Sequence, residues 1–198
     1  MAQTVPLERR PSFAPHERPS LLGVGVIIWL ASELMFFSGL FAAYYTIRAH
    51  NPTSTWPPPG DTVAVVRSGI FTFILLMSSF TMQKGVWNEE RGWRRSARWW
   101  IVLSFLMGAA FDAAQGYEWT HVPFSASTDA FGSMFFLMTG IHGLHVAVGL
   151  IAMLFLLGRM VGPGGDPGEQ PAFQAVSYYW HFVDVVWIGL YASLFLLH

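Results

Sequence analysis

The sequence predicts an all-α integral membrane protein: a five-helix transmembrane bundle with its N-terminus cytoplasmic and its C-terminus outside. Composition is the first reason. Of 198 residues, 53% are hydrophobic and only 12% charged, about half the ~25% charged fraction of a soluble domain. The second is five apolar stretches, Leu21–Ile47, Val63–Gln83, Trp99–Ala114, Phe131–Leu157 and Phe173–Leu197. Most of these reach the ~20 helical residues that cross a bilayer core. The third is that the connections are short, so consecutive helices run antiparallel in one bundle.

The elements follow in order. Residues 1–20, "MAQTVPLERRPSFAPHERPS", are polar and Pro-rich. They lack the short apolar core and small-residue cleavage site of a signal peptide, and are expected to be a polar tail leading into a single domain, residues 21–198. The first, fourth and fifth spans are long enough to tilt or to extend past the hydrocarbon. "NPTSTWPPPGD", Asn51–Asp61, cannot be helical because consecutive prolines block it. A rigid turn with Trp56 in the membrane interface is expected there. The third span is the shortest. Asp112, Gln115, Tyr117, Glu118 and His121 cluster at its outer end, where the plain expectation is a solvated loop.

Basic residues set the orientation. Arg9, Arg10 and Arg18 precede the first span, Lys84, Arg91, Arg94, Arg95 and Arg98 lie between the second and third, and Arg159 lies between the fourth and fifth. The other side has only Arg48 and Arg67. The excess marks the cytoplasmic side. A net charge of −1 suggests no nucleic-acid partner, and the absence of cysteine excludes disulfides, thiolate metal sites and a cysteine nucleophile.

Ionisable residues inside spans are costly and need a reason. At about 1.5 Å per residue, Glu33 in "WLASELMFF" lies about 18 Å from the cytoplasmic start of its helix. His181 and Asp184 in "YYWHFVDVVW" lie about 12 and 17 Å in, one turn apart on one face. His142 and His145 in "TGIHGLHVAVG" lie about 17 and 21 Å from the outer end of theirs. All five occupy one slab, and a shared interior network is the economical expectation. Three readings stay open: a metal or haem site, a structural network across helices, and a proton-associated carboxylate, mainly Glu33. Gly140 and Gly143 flank His142 and favour close helix packing over an open ligand site. Trp180 and Trp187 are expected to face lipid or a partner. A small transporter is disfavoured, because repeated halves and discontinuous helices are not seen in the sequence.

The residues resemble subunit III of the haem–copper oxidases, and most of all that of bacterial cytochrome c oxidase. The matching pieces run in order: "WLASELMFFSGLFAAYY", "WPPPG", "FLMGAAFDAAQGYEW", "FGSMFFLMTGIHGLHVAVG" and "YYWHFVDVVW". The resemblance implies a non-redox accessory subunit, with no cofactor of its own, in the bacterial plasma membrane. It would pack on subunit I with subunit II beside it, haem a and copper residing in those partners. It implies support of proton uptake and turnover stability, and bound phospholipid. Residue by residue, Glu33 matches the family's buried, carbodiimide-reactive carboxylate. His142, His145, His181 and Asp184 match polar positions of its two signature segments. Arg159 matches a position near lipid phosphate, though topology alone would also explain it. There are departures. Many members have seven spans and the resemblance here begins at their third, so the lipid cleft beside the first two is expected to be missing, open, or filled by a further small subunit. Gln174 stands where many relatives have a glutamate. Five-span relatives in quinol oxidases and beside nitric-oxide reductases are the alternative, with a free-standing membrane haem protein behind them.

Overall fold

The structure, a computed structural model, describes residues 21–51, 56–58, 63–162 and 169–197. The tail at 1–20 and most of the Asn51–Asp61 turn lie outside the described residues. Five helices are long and apolar enough to cross a membrane: α1 (Leu21–His50), α2 (Val65–Glu90), α3 (Arg94–His121), α4 (Ala130–Arg159) and α5 (Glu169–Tyr191). A π-helical turn, Ala192–Leu196, extends α5. No strand occurs among the described residues.

α2 and α3 form the tightest pair, α4 packs on α3, and α5 packs against α1, α2 and α4. α5 is therefore the centre: 56% of its apolar window is buried, against 6% for α1. In α1 only Phe37 and Tyr44 are buried. Leu30, Leu40, Phe41 and Ile47 are half-buried against the core, and most of its remaining apolar side chains face outward, which costs nothing where the surroundings are hydrocarbon.

The connections explain the helix ends. Gly92 adopts φ +76° between α2 and α3, a left-handed conformation that glycine adopts without a Cβ penalty and that lets the chain reverse within three residues. At the start of α4 the Asp129 carboxylate accepts from the Gly132 amide, 2.7 Å, an N-cap of the usual kind.

Three sequence expectations are corrected. The third span runs from Arg94 to His121, not from Trp99 to Ala114. Its terminal charges are tolerated because they are bonded: Arg98 donates to the Met160 carbonyl, and Glu118 accepts from Arg67. Hence the cluster from Asp112 to His121 is helical, with Gln115 and Glu118 buried. Trp180 and Trp187 face the interior, each fully buried. The Trp180 indole lies between Gly108 and Gly149, where an added Cβ would come within 2.6 and 2.7 Å of its ring. The Trp180 and Trp187 N–H groups donate to Ser78 (2.8 Å) and Thr72 (2.9 Å) of α2. Trp56 is also buried. It donates to the Tyr44 hydroxyl at 2.9 Å and meets Phe131 edge to face.

Candidate functional site

α1 meets α4 through few side chains, and their contact includes a polar pair. Glu33 Oε2 lies 3.2 Å from His145 Nε2. The other imidazole nitrogen, His145 Nδ1, is 2.8 Å from the Ile141 carbonyl. A carbonyl only accepts, so Nδ1 carries a hydrogen. The Glu33–His145 contact then needs one proton, held either as acid donating to imidazole or as imidazolium donating to carboxylate. Both forms are net neutral, which suits membrane depth. The Trp29 indole donates to Glu33 Oε1 at 3.0 Å, and the Tyr179 hydroxyl to the His145 carbonyl at 2.8 Å. The Trp29 and Tyr179 rings stack 5.2 Å apart and 4° from parallel, and Phe37 sets its edge against His145.

A second group joins α2 and α5. His181 Nδ1 lies 3.0 Å from Ser79 Oγ, and His181 Nε2 lies 3.2 Å from Gln83 Oε1. The Ser79 hydroxyl also meets Asp184 Oδ2. The Ser177 hydroxyl reaches Gln83 Oε1 at 3.5 Å.

His142 belongs to neither group. It is fully buried, and its ring nitrogens have no hydrogen-bond partner among the described residues. The ring stacks on Trp187 (4.8 Å between centroids) and meets the edge of Phe111. Close helix approach surrounds it: a Cβ on Gly143 would lie 3.3 Å from Asp112 Oδ1, and one on Gly140 3.7 Å from Trp119. The expected single network is thus three separate places. The reason is helical phase: His142 and His145 are close along α4 but point to different neighbours, α5 and α1.

The sequence reading missed Trp29, Tyr179, Ser79 and Gln83. Two signals were available. Trp29 precedes Glu33 by one turn, and Ser79 and Gln83 are polar residues four apart in an apolar run.

Arg159 is exposed at the end of α4, beside an open apolar groove of about 440 Å³ lined by Ile151, Leu154, Phe155 and Gly158. Gln174 donates to Glu90 at 3.4 Å. Among the described residues, no three His, Cys, Asp or Glu side chains converge as a metal site.

Comparison with known proteins agrees over nearly the whole length. Residues 17–198 match the family model described as cytochrome c oxidase subunit III. The chain is 48% identical over 181 residues to the "Probable cytochrome c oxidase subunit 3" of Nocardia farcinica, covering 90% of this chain and 89% of that one. It is 40% identical over 186 residues to the "Cytochrome c oxidase subunit 3" of Corynebacterium diphtheriae, covering 92% and 91%. The protein so named from Synechocystis is 38% identical over 184 residues, covering 92% and 78%. With five apolar spans, a buried polar seam between them and these matches, the chain belongs to the cytochrome c oxidase subunit III family.

Proposed function

We propose that this chain is an accessory, non-redox subunit of a proton-pumping bacterial cytochrome c oxidase, and that the Glu33–His145 pair supports proton uptake and turnover stability. The observation carrying this is the one-proton contact at 3.2 Å. A carboxylate and an imidazole that meet at membrane depth can hold one proton between them with no net charge on the pair, and moving that proton from one partner to the other leaves the pair neutral. Haem a and copper belong in this reading to subunits I and II, and the bundle packs on subunit I. The excess of Lys and Arg where α2 meets α3, from Lys84 to Arg98, with Arg159 at the end of α4, favours a cytoplasmic N-terminus and an outward C-terminus. Arg159 at the mouth of its groove suits the phosphate of a membrane phospholipid.

Glu33→Gln in the intact oxidase tests the reading. It keeps size and hydrogen bonding and removes only the titratable proton. The expected outcome is normal haem content with a shortened turnover lifetime or slowed proton uptake. Normal values for both would make Glu33 structural.

A further inference from the structure

The seam between α2 and α5 has a hydrogen count that does not close without an extra proton. His181 Nε2 faces Gln83 Oε1, an acceptor, so Nε2 carries a hydrogen. His181 Nδ1 and Asp184 Oδ2 both face the same hydroxyl, that of Ser79. Ser79 has one hydrogen and can serve only one of them. If it donates to Asp184, then Nδ1 must donate to Ser79 and the ring is an imidazolium. If it donates to Nδ1, then Asp184 must donate to Ser79 and is a carboxylic acid. Each arrangement holds one proton beyond a bare carboxylate and neutral ring, and each is net neutral. The alternative, an ionised aspartate beside a neutral imidazole, would place an uncompensated charge on a side chain only 3% exposed at membrane depth.

We propose that Asp184, Ser79 and His181 form a proton-holding relay, separate from Glu33–His145, in which one proton is exchanged between carboxyl and imidazole through the Ser79 hydroxyl. In the forward direction the Asp184 proton passes to Ser79 Oγ while the Ser79 proton passes to His181 Nδ1. The product is aspartate, an intact hydroxyl and imidazolium, and the reverse restores the start. No bond other than O–H and N–H changes, and no co-reactant is needed.

The surroundings leave the exchange to these three residues. From α2 the facing groups are Ser79 and Gln83, and along α5 Ser177, all uncharged. The titratable groups of α1 and α4 at this depth are engaged elsewhere: Glu33 and His145 with each other, and His142 stacked on Trp187. No ion pair reaches Asp184 or His181 among the described residues. The spacing that builds the relay is simple. His181 and Asp184 are one turn apart on α5, and Ser79 and Gln83 one turn apart on α2, so two short stripes meet face to face.

The test is infrared difference spectroscopy of the intact oxidase taken between acid and alkaline buffer. Asp184→Asn assigns the carboxyl band and His181→Gln the imidazole band. The relay predicts that in the wild type both bands change together in one step. Ser79→Ala, a small and packing-neutral change, is expected to abolish that coupling so that the two bands change separately. Ser79→Thr, which keeps a hydroxyl, is expected to restore it. Coupled bands that persist in Ser79→Ala would overturn the relay, as would an Asp184 band that never shows a protonated carboxyl while His181 stays neutral. Turnover lifetime in Glu33→Gln is read separately, so failure of one reading leaves the other standing or falling on its own data.

Discussion

At the scale of single residues, burial decides what each charge needs. Arg67 and Glu118 are paired between the first turn of α2 and the last turn of α3, and the two side chains differ in exposure, 39% against 5%. Glu118 also accepts from the Ala64 amide, at 3.3 Å. Removing Arg67 would leave a carboxylate enclosed without its partner. Removing the carboxylate would leave a guanidinium that still reaches solvent or headgroups and rests against Tyr117, 5.1 Å from the ring centre. Arg67→Ala is therefore expected to cost more than Glu118→Gln, roughly 2–4 kcal/mol against about 1. Thermal unfolding of the purified complex carrying each variant would measure this, and equal losses would refute the asymmetry. The same logic separates the histidines. His145 and His181 have partners for both ring nitrogens, whereas His142 is held by ring contacts alone. One residue type in one slab of membrane thus has three different environments.

At the scale of elements, the packing of α3, α4 and α5 turns on one indole between two glycines. Trp180 fills the space that Gly108 and Gly149 leave open, and its N–H is held by Ser78 of α2, so the ring cannot swing aside without losing that bond. Small residues at helix crossings permit such close approach where no hydrophobic effect drives association. Gly149→Ala is expected to destabilise the bundle by about 1–3 kcal/mol through overpacking. Adding Trp180→Phe should recover part of the loss by shortening the ring. Chemical or thermal denaturation of both variants checks this, and a double variant less stable than the sum of the singles would sink the account. Most helix positions were legible from the sequence, because apolar runs of about 20 residues have few alternatives. The third span was not. Its length depends on Arg98 and Glu118 finding partners on other elements, and a local hydropathy reading treats both as solvent-seeking.

At the scale of the whole molecule, this is a multi-pass plasma-membrane protein of the subunit III family whose first helix is attached mainly at one end. Tyr44 donates to the Ser193 carbonyl at 2.8 Å, Tyr45 meets the Ser193 hydroxyl at 2.8 Å, and Arg48 donates to the Leu197 carbonyl at 2.7 Å. All three land on or next to the π-helical turn. None of residues 21 to 36 is buried. The combined change Tyr44→Phe and Arg48→Ala is expected to raise amide hydrogen exchange about tenfold in residues 192–197. The α2–α3 pair should be unaffected, because α1 packs on α5 and α4. A uniform rise across all helices would show instead that α1 supports the entire bundle.

By itself the sequence determined the class, the number of spans and the position of the polar residues along them. Those properties follow from hydropathy and from a rise of about 1.5 Å per residue, both local quantities. It also carried the family resemblance, in short ordered segments such as "TGIHGLHV" and "YWHFVDVVW". Only the tertiary structure decided which polar side chains meet. Residues at equal depth can face any of several neighbours, and the choice depends on how each helix is rotated. That rotation pairs Glu33 with His145, gives Asp184 and His181 to Ser79, and leaves His142 against Trp187. It also turns Trp180 and Trp187 inward, since two glycines and two hydroxyls on other helices receive them.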